Sequence, residues 1–190
     1  MTKNRTRCKW AEGNDLMSAY HDREWGVPVH EDKTHFEFLI LEAAQAGLSW
    51  LIVLRKREGY RKAFANFDFK KVAKFGETDV RRLMNDAGII RNELKIRASI
   101  ENAKRFLEVR KEFGTFDRYL WNFVSGKPVV NRVKSYKEVA GSTPLSDAVS
   151  KDLKKRGFRF VGSTVIYSHL QAVGIVNDHE SDCFRKDCGN

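Results

Sequence analysis

Residues 32–50 read DKTHFEFLILEAAQAGLSW, and within that stretch Phe36, Leu39, Ile40 and Ala43 recur at helical spacing. The run predicts a helix that begins after Asp32 and stops at Gly47. Ser49 then suits the N-cap of a following helix whose apolar face includes Ile52, Val53 and Phe64. Glu42 sits inside the apolar run. If its face is turned to the core, the carboxylate has to be paired, hydrogen-bonded to a ligand or raised in pKa. The alternative is a helix residue facing solvent on the polar side, and periodicity alone does not separate the two. The Gln45–Ala46–Gly47–Leu48 turn exposes Leu48 at a tip that could enter a duplex beside a flipped nucleotide. It reads equally as an ordinary C-cap with its hydrophobic contact.

Outward from this core the punctuation remains helical. A short helix is expected over Asn14–Glu24, and Asp68 can cap another at Phe69–Lys74. A helix through Val80, Leu83 and Met84 is followed by Gly88, which suits its C′ position. A long helix over Asn92–Phe113 then carries Ile96, Ile100, Ala103 and Leu107 on one side. Phe116–Val124, Ser146–Arg156 and Ser163–Val173 complete the set, and Val129–Val139 reads best as a loop. With no internal repeat and no linker that cleanly divides the chain, the expectation is an all-α fold, one bilobed helical domain over residues 1–190.

Hydrophobic residues make up 42% of the 190, enough for a sizeable interior, and three prolines argue against long disordered segments. Lys and Arg outnumber Asp and Glu by 35 to 25, an excess that favours an anionic partner such as nucleic acid. The basic start is not followed by an apolar h-region, and no stretch approaches the ~20 apolar residues that span a bilayer. Three cysteines do not make a disulfide framework. A reducing cytoplasm is the expected compartment.

Cys8 and His21 lie near one end of the chain, His179 and Cys183 near the other. Together they make a tetrahedral Cys2His2 set of the kind that holds Zn²⁺, with no open position for water, so such a metal would be structural and would join the chain ends. Free cysteines with surface histidines, or a Cys8–Cys183 disulfide, are the competing readings. Cys188 is spare.

The N-terminal third also holds Trp10, Tyr20, Trp25 and Trp50, whose broad faces could stack an extruded base or simply pack the core. Asp86–Ala87–Gly88–Ile89–Ile90–Arg91 joins two amphipathic helices. Its backbone N–H groups could meet a phosphate with Arg91 and Lys95 alongside, or form an ordinary αα-hairpin turn. Lys151, Lys154, Lys155 and Arg156 form a further basic cluster, a solvated face or a track along DNA.

The motifs YHDREWGVP (20–28), LEAAQAGLSW (41–50), DAGIIRNELKI (86–96) and LKKRGFRFVGSTVIYSHLQAVGIVNDH (153–179), with Cys8 and Cys183, together resemble the DNA-3-methyladenine glycosylase I family over nearly the whole chain. The resemblance implies a helix-hairpin-helix DNA glycosylase fold and one structural zinc ion on Cys8, His21, His179 and Cys183. It implies base-binding roles for Trp10, Tyr20, Trp25, Glu42 and Trp50, with Glu42 in the catalytic role. Gly47 and Leu48 would meet the gap in the DNA, and Gly88, Ile89, Ile90, Arg91 and Lys95 its backbone. The implied activity is monofunctional hydrolysis of the N-glycosidic bond of 3-methyladenine. The implied partners are double-stranded DNA with alkylated bases and the free base as product, with no membrane and the chain acting as a monomer.

Two positions depart from the pattern. Ile90 replaces the second glycine usual in such hairpins, and Met17 stands where many relatives carry an aromatic residue. No convincing counterpart of the superfamily's catalytic Asp is found, since Glu108 and Asp117 lie in the wrong context. Rival functions are a glycosylase/lyase using a Lys nucleophile and a zinc-stabilised DNA-binding protein without activity. A zinc hydrolase is disfavoured by the closed ligand set and the lack of H-E-x-x-H.

Overall fold

In the computed structural model, which describes residues 6–187, the 32–50 stretch becomes the centre of the molecule. Helix α2 spans Asp32–Gln45, and every side chain from His35 to Ala44 is buried. A helix buried all round must be covered on every side. The elements that cover it are α3 (Trp50–Ala63), α6 (Glu93–Phe113), α7 (Phe116–Asn122) and α9 (Ser163–Ala172). Helices α1 (Asp15–Arg23), α4 (Phe69–Val72), α5 (Glu77–Met84) and α8 (Pro144–Lys155) complete the helical set, so the expected all-α architecture holds.

Local capping sets several boundaries. Asn14 accepts from the N–H groups of Leu16 and Met17, Asp68 from those of Lys70 and Lys71, and Asn92 from that of Lys95. Ser49 occupies the N-cap position of α3, though its side chain makes no capping hydrogen bond. One boundary differs from expectation: α5 ends at Met84 with Asn85 as its C-cap, so Gly88 lies inside the following turn. There it serves packing. A Cβ on Gly59 of α3 would come within 2.1 Å of the Gly88 carbonyl oxygen, so the 86–92 turn rests directly on α3.

The 129–139 segment is not wholly a loop. Strand β1 (Val129–Val130) pairs in parallel with β2 (Val176–Asn177), and Val133 bridges to Glu180. This pairing draws the C-terminal segment back across the helices toward Cys8. Cys188 lies outside the described residues. No helix among them is long and apolar enough to cross a membrane.

Candidate active site

Three ionisable side chains are buried in α2, and two of them are partnered. Glu37 accepts from Arg57 at 2.7 Å and Arg61 at 3.3 Å, and His35 Nε2 lies 3.3 Å from Asp117 Oδ1. Glu42 is 4% exposed and has no hydrogen-bond partner among the described residues. Burial alone pushes its carboxyl up to about 8. A group this costly to bury without compensation marks a site built for a ligand.

Glu42 lines a cavity of about 310 Å³ together with Trp10, Tyr20, Trp25 and Trp50. The five residues expected to meet a base are therefore brought together. Their rings form one wall: Tyr20 and Trp50 have centroids 5.3 Å apart, and Trp10 meets Trp25 edge-on at 5.0 Å. Trp50 Nε1 is buried without a hydrogen-bond partner among the described residues. The Tyr20 hydroxyl is pushed well above its ordinary range, first by burial and then by the nearby Glu42 charge, so it remains a donor. An aromatic slot holding an unpaired carboxyl and an unpaired indole N–H suits a flat heterocycle with both acceptors and donors on its edge.

The remaining wall escaped sequence reasoning. Tyr136, Val139, Ser168, Gln171 and Asp178 also line the cavity. The Asp178 carboxylate accepts from Asn131 at 2.7 Å, Tyr167 at 2.5 Å and Gln171 at 2.6 Å. Its place in the NDH triplet beside His179 was the available signal. A larger groove of about 580 Å³ lies between α5, α6 and Arg159–Phe160, but its principal charges pair with one another, as Arg97 with Glu77 and Lys104 with Glu101. Among the described residues it holds no unsatisfied buried side-chain group, which leaves the smaller cavity as the candidate site.

Behind the aromatic wall, Cys8, His21, His179 and Cys183 are all buried, with candidate ligand atoms within 4.8 Å of one another. His21 Nε2 lies 3.3 Å from Cys183 Sγ, and His179 Nδ1 lies 3.5 and 3.6 Å from the two sulfurs. A tetrahedral zinc with ordinary Zn–S and Zn–N bonds sets such edges at about 3.6 Å. The far nitrogens are also held, His21 Nδ1 by Asp22 at 2.9 Å and His179 Nε2 by the Trp25 carbonyl at 3.1 Å. Arg7 in turn clamps Asp22 through two nitrogens. A hydrogen bond shared with Cys8 draws the Cys183 thiol well below its usual range, while Cys8 is pushed up. The donor set fits a closed metal site.

Of the residues expected on DNA, Gly47 and Leu48 stand at an exposed tip, with Gly47 at φ +80° and Leu48 38% exposed. The 86–92 turn is more self-satisfied than expected. Gly88 N donates to Asp86 Oδ1, Ile90 N to the Tyr60 hydroxyl and Asn92 N to the Ile90 carbonyl. The backbone N–H groups of Ala87 and Arg91 are the ones in this turn without a partner among the described residues. Ile89 is 2% exposed and belongs to the core. Lys95 does not present its charge to solvent: Nζ donates to the carbonyls of Ala44 and Ala46 at 2.8 and 2.7 Å. Lys151, Lys154 and Lys155 are exposed, whereas Arg156 pairs with Glu112 and Asp152. Glu108 pairs with Arg105 on the surface, and Asp117 holds His30 and His35.

Comparison with known proteins places this geometry. Residues 10–186 match the family model described as methyladenine glycosylase. The chain is 50% identical over 177 residues to DNA-3-methyladenine glycosylase 1 of Escherichia coli (strain K12), covering 93% of this chain and 95% of that protein. It is 45% identical over 178 residues to DNA-3-methyladenine glycosylase of Haemophilus influenzae, covering 94% and 96%. Among solved structures, a 3-methyladenine DNA glycosylase I from Staphylococcus aureus, described for its recognition of 3-methyladenine, superposes with a TM-score of 0.93 at 34% identity. That match covers 97% of this chain and 98% of the other.

Proposed function

The chain belongs to the methyladenine glycosylase family, and from that membership we propose that it is a monofunctional DNA glycosylase that hydrolyses the N-glycosidic bond of 3-methyladenine in alkylated duplex DNA. The observation that carries this reading is the unpartnered Glu42 carboxyl in an aromatic cavity. Related proteins carry the name of this activity, and a solved relative is a complex with 3-methyladenine.

Methylation at N3 gives the base a positive charge in DNA, so it departs neutral and needs little acid assistance. The work left to the protein is extrusion and tight holding of the base. Trp50 and its aromatic neighbours stack on the flipped ring. Glu42 accepts hydrogen bonds from the N–H edge of the base, and Tyr20 and the Trp50 indole supply donors. A cationic base entering the cavity favours the ionised form of Glu42, which then stabilises the oxocarbenium-like transition state electrostatically. Water is the final nucleophile and an abasic site remains. Among the described residues no lysine lines the cavity, which supports hydrolysis over a Schiff-base lyase step.

Gly47 and Leu48 fill the gap left by the flipped nucleotide, and the 86–92 turn, read as the hairpin of a helix-hairpin-helix unit, offers the Ala87 and Arg91 N–H groups to phosphate. Cys8, His21, His179 and Cys183 would hold one zinc ion, which supplies structural cross-linking and no chemistry. The described helices share one core, which supports reading them as one domain; beyond that, we read residues 1–190 as a single bilobed domain that works as a monomer in the cytoplasm. The test is incubation with methylated duplex DNA and chromatography of the released bases. Release of 3-methyladenine is expected, and binding without release would overturn the assignment in favour of a DNA-binding protein.

A further inference from the structure

Lys95 stands in the first turn of α6, where its backbone N–H donates to Asn92 Oδ1 at 3.1 Å. Its side chain does not follow the basic surface. The residue is 9% exposed, and Nζ donates to Ala44 O at 2.8 Å and Ala46 O at 2.7 Å. Those carbonyls end α2, where the last four have no intrahelical partner and the helix dipole concentrates negative charge. The turn they begin carries Gly47 and the exposed Leu48, whose N–H closes on Gln45 O at 2.6 Å. One residue thus joins two DNA-facing features: its backbone N–H meets the Asn92 cap that ends the 86–92 turn, and its side chain meets the end of α2 that carries the Gly47–Leu48 tip.

We propose that Lys95 is a positioning residue, which sets the Gly47–Leu48 tip relative to the 86–92 turn so that both engage one duplex during base extrusion, and that it is not a phosphate contact. The proposal rests on the glycosylase reading. Without the two donated hydrogen bonds, the short Gln45–Leu48 closure is the hydrogen bond left at the tip among the described residues, and a tip that wanders enters the stack less often. The base cavity takes its aromatic walls from other elements and Glu42 from the buried body of α2, sharing Gln45 with the end of that helix, so it keeps its affinity for the free base.

The experiment compares wild type, K95M, L48A and the double variant by single-turnover excision from methylated duplex. Salt-dependent affinity for undamaged duplex and affinity for free 3-methyladenine, read by tryptophan fluorescence, are measured on the same proteins. K95M is expected to lose tenfold or more in excision while free-base affinity stays within twofold. The slope of log affinity against log salt should match wild type, because no phosphate contact has been lost. In the L48A background K95M should cost little more, since both changes act through the same tip. A merely structural destabilisation would add in full in either background.

A salt slope shallower by about 0.9 would reassign Lys95 to a phosphate and overturn the proposal. Additive losses or unchanged excision would overturn it too. If K95M does not fold, K95Q, which keeps a donor on a shorter stem, carries the same cycle. A wild type that releases no 3-methyladenine would instead defeat the glycosylase reading, and it is scored before any variant.

Discussion

The backbone carbonyl of Trp25 lies 3.1 Å from Nε2 of His179, so the residue whose indole walls the cavity also orients an imidazole of the Cys2His2 cluster. The rings repeat the link, with Trp25 and His179 centroids 4.6 Å apart and Trp10 and His21 5.4 Å apart. The cluster and the cavity share a wall, and a change in one must be felt in the other.

Removal of the zinc ion proposed for the cluster therefore has two expected signatures. Stripping with a chelator should lower Tm on the order of 10 °C, because the closed site ties residues from both ends of the chain. Tryptophan emission should change in step with metal loss, as Trp10 and Trp25 lose their fixed neighbours. Elemental analysis beside a thermal melt checks the first, and a chelator titration followed by fluorescence checks the second. A melt indifferent to metal would show that the cysteines and histidines hold the ends unaided.

Glu42 makes stability depend on pH. Its folded value of about 8 lies above the ordinary 4.5, so the folded state holds a proton that the unfolded chain gives up between those values. The cost of burying the charge is absent below about pH 4.5, grows between pH 4.5 and 8, and is constant above that. E42Q should match wild type below about pH 4.5 and be the more stable protein above it, by an amount that rises to a few kcal/mol near pH 8. Excision should meanwhile fall at least tenfold. Paired denaturant melts from pH 5 to 9 measure the difference, and a gap that does not change with pH would mean the carboxyl is solvated.

Trp50→Phe keeps a ring in the wall but removes an N–H that has no partner among the described residues. Stability should move by less than about 1 kcal/mol, while base affinity falls by roughly threefold to tenfold, the worth of one hydrogen bond. Equal affinity of the two proteins for free 3-methyladenine would show that the indole N–H is not used.

Gly59→Ala tests the seat of the 86–92 turn. The new methyl would meet the Gly88 carbonyl oxygen at 2.1 Å, and backbone has to move to admit it. A loss of about 1–3 kcal/mol is expected from overpacking. Duplex affinity should drop while free-base affinity is kept, since the turn does not line the cavity. Retained duplex affinity in a destabilised G59A protein would detach the turn from DNA binding.

What the sequence determined by itself is what short-range forces decide. Helix α1 starts at Asn14, α4 at Asp68 and α6 at Asn92 because each cap is a side chain reaching a backbone N–H two or three residues on. The Cys2His2 set and the aromatic members of the cavity were legible as residue types, and as a family resemblance. Tertiary structure decided the rest. Glu42 could have faced water, and it is buried because α3, α6, α7 and α9 close around α2, which no periodicity within α2 records. Lys95 looked like surface charge until the end of α2 came within reach of its ammonium. Val129–Val130 became a strand only on meeting Val176–Asn177, and Tyr136, Gln171 and Asp178 became cavity walls through the same long-range closure. A side chain's burial and partners depend on surfaces supplied from distant parts of the chain, and those surfaces exist only once the whole has packed.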